Sequence, residues 1–243
     1  MDYNLTYHHF SERSILVNWP QIIDKNVLND ILFYKNNLEI YYAKEIVQVK
    51  TAYNSLLITY NRTIDNINDE ISALKLQYNS RLKLDKASHK LWRIPVCYAD
   101  EFALDIDEIS TKNKISKSEI IRLHSEPIYT VFFIGFLPGF LYLGGLNERL
   151  YYPRKRRPKF NIEKGAVAIG EMQTGIYPNA SPAGWNVIGN SPLNFFNVNA
   201  QVSCFAKPGD CIQFFPITLN DYHTISRDVS SRVYKLENEI IYD

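Results

Sequence analysis

The sequence lacks both standard nucleotide cradles. No GxxxxGK[ST] phosphate loop occurs, and no GxGxxG follows a strand-like run. A GxSxG elbow is missing too: Ser181 sits in ASPAG with proline after it, which weighs against a Ser-His-Asp hydrolase. Charge of one sign is not in excess, with 27 Lys and Arg against 26 Asp and Glu, a formal net of +1. Dedicated nucleic-acid binders carry far more positive charge, so that class is set aside. Cysteine is scarce: Cys97, Cys204 and Cys211 lie far apart in apolar contexts, with no CxxC. This spacing predicts no metal site and a reducing compartment. No apolar run approaches the ~20 residues that cross a bilayer, and MDYNLTYHHF lacks the basic start and apolar block of a signal peptide. The expectation is a cytoplasmic protein with neither nucleic acid nor membrane as partner.

What is present is a normal globular composition, 46% hydrophobic and 22% charged over 243 residues, enough for one large or two ordinary domains. Two short strands are expected over residues 3–19, then a helix opened by Pro20 with Ile23, Val27, Ile31 and Leu38 on its apolar face. Residues 39–60 read as two strands with a turn at 51–54. The clearest helix spans 64–83, where Ile64, Ile67, Ile71, Leu74, Tyr78 and Leu82 step by three and four. KLWRIPVCY then reads as a closing strand. The order predicts a small ferredoxin-like α/β sandwich over 1–98, in an α+β protein. Residues 99–126 read as a helical linker, with a short helix near 105–112 and a second begun by the capping pair Ser116 and Glu119. From 127 to 243 short apolar runs alternate with turn signals, which predicts an all-β barrel or closed sandwich. A short helix at 221–226 and a strand-like tail are expected at its end.

The stretch 124–185 concentrates glycine and proline around polar side chains and reads as the wall of a pocket. His124 ends the capped helix, where it either complements the helix dipole or enters the pocket. Arg154, fixed by Pro153, carries a fork of donors suited to a carboxylate or phosphate, while the rest of PRKRRPK reads as a solvated turn. Gln173 and Thr174 offer an amide and a hydroxyl fit for an amide or lactam, or form a turn between strands. Trp185 is a pocket wall or a barrel plug.

Together, IPVCY, EIIRLHSEPIYTVFFIGFLPGFLYLGGL, PRKRRPK, GAVAIGEMQTGIYPNASPAGWNVIG and PGDCIQFFPI resemble the PxpB family of 5-oxoprolinase subunits. That family is also known as KipI and allophanate hydrolase subunit 1, and is related to the carboxyltransferase part of urea carboxylases. The resemblance covers residues 94–217 specifically and implies a cyclophilin-like β-barrel as the C-terminal domain. It implies a component of ATP-dependent 5-oxoprolinase, inactive alone, working with a larger homologous PxpC-like subunit and a PxpA-like subunit. ATP would be bound mainly by or with the partner. Opening a lactam by phosphorylating its oxygen requires groups that hold the substrate and stabilise the charge built on oxygen. Carried over by motif, His124 and Arg154 are the implied catalytic residues. Phe136, Pro138, Gly139, Phe140, Gln173, Thr174, Tyr177, Ser181 and Trp185 are the implied substrate-binding walls. The sequence departs from the family at ADEFALDI (residues 99–106), at Glu171 where a small residue is common, and at Ala183. The alternative within the same family is a KipI-like inhibitor docking on a sensor histidine kinase.

Overall fold

Asp24 and Asn66 start the two helices of the first half of the chain. The Asp24 carboxylate accepts from the backbone N–H of Asn26 and Val27 at the head of α1 (Lys25–Tyr41). Asn66 does the same for Asn68 and Asp69 at the head of α2 (Ile67–Asn79). Each cap satisfies donors that the first helical turn leaves open. The expected start at Pro20 is therefore displaced to Asp24, and residues 39–41, expected as strand, complete the last turn of α1.

In this structure, a computed structural model, residues 3–80 and 88–242 are described. They divide into two units, Met1–Ala87 and Ser88–Asp243. In the first, β1 (Thr6–Ser11), β2 (Ser14–Asn18), β3 (Ile46–Thr51) and β4 (Ser55–Tyr60) form one antiparallel sheet ordered β1-β2-β4-β3. Alternate residues Ile15, Val17, Leu56, Ile58 and Tyr60 meet Val27, Ile31, Tyr34, Leu38 and Leu74 from the helices in one core. Residues 81–83 of the expected 64–83 helix lie outside the described residues.

The strand expected to close this sheet, β5 (Ser88–Cys97), is not in it. The edge beside β2 is filled by β1 instead. β5 lies in the second unit, parallel to β13 (Cys211–Ile217) from Leu91↔Cys211 to Cys97↔Ile217 and antiparallel to β14 (Asn238–Tyr242). The physical reason is burial: Trp92, Ile94 and Val96 belong to the same core as Ile212 and Phe214. The boundary expected at residue 98 therefore falls at 87/88.

The second unit also contains β6 (Ile128–Ile134), β7 (Leu141–Gly144), β8 (Lys159–Ile162), β9 (Ala166–Gly170), β10 (Gln173–Ile176), β11 (Ser181–Ala183) and β12 (Asn186–Asn190). The order β12-β9-β10-β7-β6-β13-β5 is closed by Asn190↔Cys97, giving a seven-stranded barrel. The expectation of a closed barrel holds, with β5 as its seventh strand. Residues 99–126 are no linker: α3 (Ile106–Asn113) and α4 (Lys117–Ser125) lay Ile106, Ile109, Ile120 and Leu123 into the barrel core. The C-terminal helix α5 (Leu219–Ser230) is longer than expected, started by the capping box of Thr218 and Asp221.

Strand parity then decides what each side chain sees. On β7, β9, β10 and β12 the residues Leu141, Leu143, Val167, Ile169, Ile176 and Ile188 face the barrel interior. Phe140, Ala166, Ala168, Tyr177, Trp185 and Val187 face the other way and build a second apolar cluster, flanked by the β8–β11 pair.

Candidate functional site

His124 enters the barrel interior and is fully buried. Its ring stacks on Phe214 at 4.6 Å, and its nitrogens lie 2.7 Å from Tyr98 Oη and 2.9 Å from Thr174 Oγ1. Thr174 Oγ1 in turn donates to the Ala168 carbonyl at 3.0 Å. The network assigns the tautomer: Thr174 has spent its hydroxyl proton on Ala168, so Nε2–H donates to Thr174 and Nδ1 accepts from Tyr98. Burial lowers the His124 pKa to about 3 and raises that of Tyr98 well above the usual phenol value. The pair is neutral at physiological pH, with every polar atom of the imidazole satisfied. A group so enclosed pins α4 to β10 and β9; it does not face a substrate.

The outer face is where the aromatic residues gather. Phe140 contacts Tyr177 at 4.9 Å, Trp185 at 5.6 Å and Phe136 at 5.8 Å, each edge to face. Tyr142 joins it at 4.7 Å and stacks on Phe133 at 4.1 Å. Two glycines make room. A Cβ on Gly170 would stand 2.5 Å from the Trp185 indole, and one on Gly175 3.0 Å from the Phe140 ring. Gly170→Ala is therefore expected to cost about 1–3 kcal/mol by overpacking and to red-shift the Trp185 fluorescence. Unchanged thermal unfolding and emission would contradict this packing.

Around this cluster stand three polar groups. Arg154 is exposed; burial pushes the hydroxyl pKa values of Tyr142 and Tyr177 up, and the positive charge of Arg154 offsets part of that rise. Ser181 is buried on the side of β11 that Ala183 shares, and its Oγ has no hydrogen-bond partner among the described residues. Gln173 is half-buried, two residues before Gly175 on the outer parity of β10.

The structure thus brings together Phe136, Phe140, Tyr177 and Trp185, with Gln173 on the same face of the sheet and Ser181 on the face of β11 that Ala183 shares. Pro138 is exposed, and Gly139 is held in a left-handed turn (φ +86°) against Phe195 and Phe196. His124 and Thr174 are separated from the group and lie inside the barrel, contrary to the expected shared pocket. Sequence reasoning misses Tyr142, although its spacing of two from Phe140 in GFLYL carries the signal. It misses Asp105 as well. This buried carboxylate holds Lys155 and Lys159, each at 2.9 Å, and accepts from Val187 N at 2.8 Å. Glu171 has φ +59°, which explains why a small residue suits the position, and its exposed side chain does not line the cluster.

The second unit is thus a closed seven-stranded barrel with two helices packed on its core and an aromatic cluster on its outer face. The chain belongs to the carboxyltransferase domain family, subdomain C and D, which it matches over residues 5–206. It is 32% identical over 182 residues to a 5-oxoprolinase subunit of Bacillus subtilis, covering 73% of this chain and 76% of that protein. It is 36% identical over 171 residues to the corresponding 5-oxoprolinase subunit of Haemophilus influenzae, covering 70% and 79%. The Kluyveromyces lactis urea carboxylase structure superposes on 99% of this chain and 24% of its own with a TM-score of 0.83 at 20% identity, a likeness of fold. Among the described residues no helix is long and apolar enough to cross a membrane.

Proposed function

We propose that this chain is the PxpB-type subunit of an ATP-dependent 5-oxoprolinase, which phosphorylates 5-oxo-L-proline and opens it toward L-glutamate together with PxpC-like and PxpA-like subunits. The observation that carries the reading is the similarity to two curated 5-oxoprolinase subunits, each matched over more than three quarters of its length. The chemistry of the outer cluster supports it. The substrate is a flat five-membered lactam with one carboxylate. Rings of Phe140, Tyr142, Tyr177 and Trp185 offer an apolar wall. Arg154 offers a two-pronged donor for the carboxylate. Gln173 and the unpartnered Ser181 hydroxyl offer donors and acceptors for the lactam edge.

ATP is assigned to the assembly, held on or with the larger PxpC-like subunit, because this chain carries neither standard phosphate loop. A PxpA-like subunit completes ring opening, and the assembly is cytoplasmic. We read the barrel as cyclophilin-like, and the first unit as a ferredoxin-like sandwich in which β1 takes the edge left by β5. The KipI-like reading, docking on a sensor histidine kinase, has no observation in its favour: both curated relatives are named as enzyme subunits. The test is glutamate release from 5-oxoproline by this chain mixed with PxpC-like and PxpA-like subunits. Release is expected only with ATP and with all three present. No release from the complete mixture would overturn the assignment.

A further inference from the structure

The segment that follows Pro153 turns its lysines inward and its arginines outward. Lys155 and Lys159 both reach the buried Asp105, and Lys155 also reaches Glu108 at 3.2 Å. The backbone is fastened along the same stretch. Tyr152 exchanges hydrogen bonds with Glu171 (3.1 and 2.6 Å), Asn186 Nδ2 donates to the Pro153 carbonyl at 2.9 Å, and Lys155 N donates to the Gly184 carbonyl at 2.7 Å. Arg156 and Arg157 are left exposed, without an ion-pair partner among the described residues. Immediately after them β8 bulges. Lys159 pairs with Ala183 and Ile162 with Ser181, so residues 160 and 161 oppose Pro182 alone. A bulge re-aims side chains: Ile162 stays buried, while the Phe160 ring is 93% exposed.

A solvated charge run needs no scaffold. Here one is built, and it presents two guanidinia and an uncovered aromatic ring in fixed positions. Arginine and aromatic residues are the enriched contact types of protein interfaces, and holding them in place beforehand removes an ordering cost on association. We propose that Arg156, Arg157 and Phe160 form a docking patch for a protein partner whose matching face is acidic around an apolar pocket. Resting on the 5-oxoprolinase reading above, the partner is the larger subunit of the complex. Charge complementarity chooses an acidic face. A nucleotide is disfavoured because no side chain among the described residues covers Phe160 to sandwich a base.

The test measures affinity of the intact chain for the larger subunit across a salt series. Arg156→Glu/Arg157→Glu is expected to weaken association about 30-fold or more and to flatten its salt dependence. Phe160→Ala is expected to weaken it about 10-fold or more with the salt dependence kept. Thermal unfolding of the variants serves as the check that both still fold. Variants that bind as tightly as wild type would overturn the patch alone. A wild-type chain that does not bind the larger subunit would overturn the named partner together with the 5-oxoprolinase reading. Loss of fluorescent ATP binding in the arginine variant, with affinity for the larger subunit unchanged, would reassign the arginines to phosphates and also overturn the proposal.

Discussion

Alanine at His124 is expected to destabilise the barrel unit by about 3–5 kcal/mol, read as a lowered denaturant midpoint. Two costs add. The imidazole leaves a cavity against Phe214, and the Tyr98 hydroxyl loses its acceptor while Thr174 loses its donor, all in a site without water access. His124→Gln is expected to lose less at neutral pH, since its amide keeps one donor and one acceptor. Acid separates the two further. The folded pKa of His124 lies near 3, below the ordinary value of 6.5 that holds in the unfolded chain. Below pH 6.5 the unfolded chain therefore binds the proton that the folded chain refuses. Stability is lost as pH falls from 6.5 toward 3, at up to about 1.4 kcal/mol per pH unit from this residue. The glutamine variant cannot titrate and should lack that component of the acid slope. Parallel slopes for wild type and His124→Gln would refute the buried neutral histidine.

That histidine also marks how far the sequence is legible. Its spacing of four from Ile120 puts it on the buried stripe of α4, and Thr174 shares parity with the inward Ile176. Both periodicities point inward; motif resemblance points to the pocket, and local periodicity is the better guide. The helix cap at Ser116 is legible for the same local reason, while Asn66, the cap of the 67–79 helix, falls inside the span expected as helix. Strand partners are not. KLWRIPVCY reads as a strand, yet nothing within it reveals that its partner lies 120 positions away in β13. The clamp of Asp105 on Lys155 and Lys159 is hidden likewise, because about 50 residues of chain separate groups that only barrel closure brings together. The aromatic cluster stands between these cases. Phe136, Phe140, Tyr177 and Trp185 are found by motif and Tyr142 is not, and their common face follows only from strand parity once β7, β9, β10 and β12 are in register.

Arg154→Ala is expected to lower kcat/KM for 5-oxoproline about 10- to 150-fold in the reconstituted enzyme. A hydrogen bond to a charged group is worth about 1.5–3 kcal/mol, and each 1.36 kcal/mol corresponds to a factor of about ten. The carboxylate takes no part in the bonds made and broken, so the contact is made equally in the ground and transition states and the loss should fall mainly on KM. Arg154→Lys keeps the charge but not the planar fork, and should recover only part of the loss. The chemistry of the substrate supplies the control. 2-Pyrrolidinone has the same lactam without the carboxylate, so wild-type and Arg154→Ala enzymes should turn it over at the same low efficiency. Arg154 is exposed and no member of the aromatic cluster, so its removal leaves the packing of Phe140 and Trp185 in place. An effect on 5-oxoproline alone therefore reports carboxylate recognition. An equal loss on both lactams would instead make Arg154 a structural support of the cluster, and no loss on either would move the substrate to another face of the barrel.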